Sequence, residues 1–110
     1  MSKRGDVESL KDIQEAISRI QEYCRDSSLK QFLRDTKTQD AVVRNLEIIG
    51  EATRNISAEF KKKHAHVAWK SMAGLRDKLI HHYFGVNWDV VWNIIQEKLP
   101  AVKAQIEELL

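Results

Sequence analysis

An arginine, a histidine and a tyrosine stand at positions 76, 81 and 83, inside a window bounded by Gly74 and Gly85 that holds two of the chain's four histidines. Their types suit phosphate chemistry. A guanidinium is permanently charged and its fork of donors matches phosphate oxygens, while an imidazole titrates near neutrality and can take or give a proton. Read as a helix continuing from Trp69, at about 100° per residue, the window turns Trp69, Met72, Leu79, Ile80 and Tyr83 onto one arc. Arg76 falls in the middle of that arc. Burying an unpaired guanidinium is costly, because arginine cannot shed its proton. That stripe therefore either meets a carboxylate inside the fold or borders a cleft or a second chain.

His81 is five residues beyond Arg76, a rotation of about 140° and a rise of roughly 7.5 Å in an ideal helix. One helix does not bring the two groups together. Two copies packed across a two-fold axis could, each offering an arginine and a histidine to a shared groove. Asp77 stands four residues before His81, close enough on a helix to orient the imidazole and favour its charged form.

The string Arg76-Asp77-Lys78-Leu79-Ile80-His81-His82-Tyr83 fits the pattern R-x-x-x-x-H-x-Y, down to the polar residue after the arginine. Around it stand Arg44-Asn45-Leu46-Glu47-Ile48-Ile49-Gly50-Glu51-Ala52, then Trp69, and later Val91-Trp92-Asn93-Ile94-Ile95 with Leu99-Pro100. In these phrases, and over essentially its whole length, the chain resembles the HepT-like toxins, a branch of the HEPN ribonucleases. The resemblance implies one HEPN-type domain over residues 1–110, working as a homodimer or higher oligomer. It implies the toxin component of a type II toxin-antitoxin system, a metal-independent endoribonuclease that leaves a cyclic phosphate end. Arg76 and His81 are then the catalytic pair at the dimer interface, with Asp77 orienting, Asn45 and Glu51 auxiliary, and no cofactor. Tyr83 is the acceptor for AMP transferred by a nucleotidyltransferase antitoxin, and the added anion beside Arg76 would fill the groove and cancel its attraction for RNA. The alternative is a non-catalytic, nucleotide-binding or scaffold subunit of a nucleotidyltransferase complex, in which Tyr83 is a half-buried core residue. A plain oligomerising bundle is a third reading.

Composition fits without deciding. At 110 residues the chain is short for an enzyme with its own deep pocket, which suits a site shared between subunits. Hydrophobic content of 43% with one proline and four glycines favours helices. There is no run of about 18 apolar residues and no signal-peptide core, so a soluble, cytoplasmic protein with no membrane contact is expected. A net charge of +2 does not by itself argue for nucleic acid. Lys61, Lys62 and Lys63, followed by His64, His66 and Lys70, form a basic run into the motif window, readable as a phosphate track or as a solvated connection. The single cysteine, Cys24, excludes an internal disulfide and sits on an apolar helical face, as a buried inert thiol does. His64-x-His66 and His81-His82 lack a third ligand at zinc spacing, so no metal is expected.

The elements that must position these groups are helical. Val7, Leu10, Ile13, Ala16, Ile17, Ile20 and Cys24 follow one face of a first helix, with Asp6 as its N-cap. Ser27 or Ser28 caps a short turn through Phe32. A long helix over about Gln39 to Ile56 puts Ala41, Val42, Ile49, Ala52 and Ile56 on one arc. Asn45 falls near the centre of that arc, either as a core amide bridging helices or as a site residue facing Arg76 or His81. Glu51 lies off the arc, a candidate partner for an arginine or a plain flank residue. Gly50 in the helix interior suits a close helix crossing. Ser57 opens a short segment, Gly85 suits a left-handed C-cap for the motif helix, Asn87 caps a last region, and Pro100 should kink or restart it. The sum is an all-α, four- to five-helix up-and-down bundle.

Overall fold

The computed structural model describes residues 5–81 and 86–110, and of Arg76 and residues 78–81 it describes the backbone. Gly85, proposed above as a C-cap, lies outside the described residues, as do His82 and Tyr83.

Three long helices carry the fold: α1 (Asp6–Cys24), α3 (Thr36–Asn55) and α5 (Trp69–His81), with short α2 (Leu29–Arg34) and α4 (Ala58–Lys63) in the connections. A fourth rod follows: α6 (Trp88–Asn93), a π-helical turn at Ile94–Lys98, and α7 (Leu99–Leu109). The described residues are all-α, in keeping with the expected bundle. No described helix is long and apolar enough to cross a membrane.

α3 packs against both α1 and α5, and α7 against α1. Leu10, Ile13, Ile17 and Ile20 from α1 and Val42 and Ile49 from α3 are buried almost completely, on the faces that helical spacing assigned to the core, and Leu46, at the margin of the α3 arc, is buried with them. Phe32 of α2 is 1% exposed and meets Trp88 edge-on at 5.8 Å and Trp92 at 5.2 Å, fastening α2 to α6. Buried Gln39 donates through Nε2 to the Phe32 carbonyl at 3.0 Å, fixing the sharp bend between α2 and α3.

Local chemistry explains most boundaries. Ser28 and Gln31 close a capping box at α2, Ser57 accepts from the Phe60 amide at α4, and Asn87 accepts from the Asp89 and Val90 amides at α6. Two boundaries differ from the sequence reading. α3 starts at Thr36 rather than near Gln39, because Asp35 serves as cap, accepting from the Thr38 amide and hydroxyl. The N-cap of α1 is Gly5, and Asp6 is already helical. The Asp6 carboxylate instead accepts from the Ser57 amide and hydroxyl, each at 2.8 Å, clamping the start of α1 to the end of α3 and making those two helices antiparallel. Cys24 is buried at the end of α1, and burial, then the negative charge of Asp35, push its thiol pKa up.

Pro100 produces the break expected of it by a specific device. Proline has no N–H and its ring collides with the carbonyl four residues back. The backbone widens by one residue over Ile94–Lys98, with the Leu99 amide donating to the Ile94 carbonyl, and α7 then begins with proline in its first turn.

Candidate functional site

The candidate chemistry lies on α5 and on what holds it. Trp69 and Met72 at its start are buried, at 8% and 3% exposure, and the Trp69 indole donates to the His64 carbonyl at 2.9 Å. The His64 ring lies on Phe60, with centroids 4.6 Å apart, and Phe60 meets Trp69 edge-on at 6.3 Å. His64 is thus built into the joint between α4 and α5. Lys62, Lys63, His66 and Lys70 around that joint are exposed and Lys61 is half-buried, so the basic run does face solvent.

The backbone of α5 is helical through His81, so the spacing argument applies as it stands. Position 76 falls within about 60° of the arc carrying Trp69 and Met72, both buried. Position 81 falls within about 40° of Lys70 and Asp77, both exposed. The two positions therefore lie on different sides of the helix, 76 on the packed arc and 81 on the outer arc.

Asp77 is exposed, and its Oδ2 accepts from Nη2 of Arg54 at 2.7 Å. Arg54 is a site-region residue that sequence spacing did not single out. It lies 23 residues away on the last turn of α3, where a basic residue is already accounted for by the helix dipole.

Asn45 is buried on α3 as its arc predicted, at 4% exposure. Its Nδ2 donates to the Ala41 carbonyl one turn back at 2.9 Å, while its Oδ1 has no hydrogen-bond partner among the described residues. Half of the amide is therefore satisfied within its own helix. Glu51 is exposed and lines a shallow groove between α1 and α3 with Asp12, Arg44, Glu47 and Asn55. Tyr83, the third member of the motif, lies outside the described residues. Among the described residues no three histidine, cysteine or acidic side chains are arranged to hold a metal ion.

Comparison with known proteins adds what geometry alone does not. Residues 13–109 match the family model described as "Ribonuclease HepT-like". A protein of Thermococcus cleftensis named "Probable ribonuclease HepT" is 49% identical over 107 residues, covering 97% of each chain. A Methanocaldococcus jannaschii protein named "Putative RNase" is 46% identical over 110 residues, covering all of this chain and 91% of its own. Another of that name, from Caldanaerobacter subterraneus subsp. tengcongensis, is 48% identical over 83 residues, 76% of this chain and 74% of its own. No solved structure gives a significant match. With a family model spanning nearly every element from α1 to α7, and relatives of close to half-identical sequence along their length, the chain belongs to the HepT-like ribonuclease family.

Proposed function

We propose that this chain is the toxin of a toxin-antitoxin pair, an endoribonuclease that cuts cellular RNA in the cytoplasm without a metal ion. The observation that carries this reading is the membership just given, combined with the position of Arg76 and His81 on one continuous helix inside the matched region. The active unit in this reading is a homodimer, supported by the helical register, which puts positions 76 and 81 on different sides of α5, so that a second copy would supply the missing partner.

In this reading the Arg76 guanidinium grips the non-bridging oxygens of the scissile phosphate and neutralises charge as it builds. His81 takes the proton of the ribose 2′-hydroxyl. The 2′-oxygen bonds to phosphorus as the bond to the 5′-oxygen breaks, leaving a cyclic phosphate on one fragment and, once the leaving oxygen is protonated, a hydroxyl on the other. Asp77 orients the imidazole. Asn45 supports the helix pair from the interior, and Glu51 sits on the flank of α3. Lys61, Lys62, Lys63 and Lys70 guide the RNA backbone toward α5. Lys70 and Arg76 are six residues apart, about 9 Å along the helix.

Silencing falls to Tyr83. A nucleotidyltransferase antitoxin transfers AMP to its hydroxyl, placing an anion next to Arg76 that competes with RNA for the same charge.

The test is cleavage by protein purified without its antitoxin. Wild type should release cyclic phosphate ends, Arg76→Ala and His81→Ala should not, and RNA with a 2′-deoxy group at the scissile position should resist. A variant lacking both side chains that still cuts at the wild-type rate would end the assignment, and RNA binding with no product would favour a scaffold subunit.

A further inference from the structure

We infer that Arg54 is a positioning residue for His81, acting through Asp77; the inference rests on the ribonuclease reading above. Its basis is a juxtaposition of two helices that no sequence spacing discloses. The Arg54 guanidinium, on the last turn of α3, reaches α5 and donates through Nη2 to Asp77 Oδ2 at 2.7 Å. Asp77 and position 81 lie one turn apart on the outer arc of α5, where Cβ atoms of residues four apart are about 5–6 Å from each other.

The chemistry of the link follows from what a carboxylate offers. It has two oxygens, and Arg54 occupies Oδ2 with a charge-assisted bond, the stronger kind. Oδ1 is then directed by that bond and is the atom that would accept from an imidazole N–H one turn along. A carboxylate held at one end presents the other in a fixed direction, and so selects which ring nitrogen of His81 carries the proton and how the ring is turned. Freed from Arg54, Asp77 samples its staggered rotamers and broad terminal torsion. The imidazole then spends less time facing the hydroxyl it must deprotonate. Stability is a weak reason for this pair, since its side chains are 41% and 51% exposed and solvent-exposed ion pairs contribute little.

The experiment uses the full chain with Arg54→Gln, Arg54→Lys, Asp77→Asn and the Arg54→Gln/Asp77→Asn double variant, assayed on one RNA substrate. Arg54→Gln should lower kcat about tenfold with KM and Tm unchanged, a loss within the range that a misplaced acid-base group produces. Arg54→Lys should recover most of the rate, because it keeps a donor and a charge at the same place. In the Asp77→Asn background, Arg54→Gln should cost nothing further. A raised KM with intact kcat would make Arg54 an RNA contact instead, and an undiminished loss without Asp77 would cut the link; either overturns the inference. Long-range proton–nitrogen NMR of the His81 ring gives a readout independent of turnover. Its tautomer ratio should change in Arg54→Gln, and an unchanged ratio also overturns the inference. A wild type that cuts no RNA but shows this Arg54-dependent ratio would sink the ribonuclease reading and still uphold the coupling.

Discussion

Mixing two inactive variants should restore RNA cleavage, to an extent that can be worked out beforehand. α5 is helical through His81, so the Cα atoms of residues 76 and 81 are about 9 Å apart and the two positions are about 140° apart around the axis. If each site takes its arginine from one subunit and its histidine from the other, Arg76→Ala and His81→Ala homodimers have no complete site. A mixed dimer has one site with both residues and one with neither. Random exchange at equal concentrations makes about half of the dimers mixed, each with one working site of two, so activity should return to about a quarter of wild type. The assay is a fluorogenic RNA read before and after the variants are unfolded and refolded together, with each refolded alone as control. A mixture no more active than its components would place both residues in one chain's site and refute the shared-groove argument. Activity in either variant alone would remove that residue from the catalytic pair.

Three further outcomes follow from contacts in the fold. Trp69→Phe keeps an aromatic side chain but loses the indole N–H that bonds the His64 carbonyl and part of the buried ring, which should cost at least ~1 kcal/mol and lower Tm by roughly 4–8 °C or more in a calorimetric melt. Phe32→Ala removes the ring on which Trp88 and Trp92 converge and should destabilise the protein by ~3–5 kcal/mol in urea titrations, with Trp fluorescence shifting red. The Thr38 hydroxyl and amide hold the Asp35 carboxyl below its ordinary value of 3.8, so its stabilising effect is present above that pH and disappears as pH falls through the lowered value. Melts of Asp35→Asn should therefore converge with wild type on acidification below pH 3.8 and stay lower above it.

How far the sequence carried the description depended on the range of each interaction. Apolar faces of α1 and α3 repeat with the helical period, so Leu10, Ile13, Val42 and Ile49 were legible as core. Caps are three-residue devices, so Ser28, Ser57 and Asn87 were legible too. Asp6 misled for the same reason. Its residue type suits an N-cap, but its partner is Ser57, 51 residues on, which no local rule anticipates. Asp35 took the cap of α3 because the break between α2 and α3 is a single residue, too short to show as a loop. At the candidate site, the helix that carries positions 76 and 81 was readable from spacing, and the burial of Asn45 from its place on the arc. The partner of Asp77 was not, since Arg54 reaches it across helices.

The widened turn before Pro100 has a consequence for the history of the chain. One surplus residue rotates everything downstream by about 100°, and the rotation actually present seats Leu99 and Ile106 in the interior and lets Lys103 reach Gln21 on α1. Trading side chains within 94–98 leaves that phase intact. Losing a single codon there would straighten the rod and wheel Ile106 out toward water, so the exposed positions Gln96, Glu97 and Lys98 should drift in spelling while buried Ile95 and the length of the segment stay frozen.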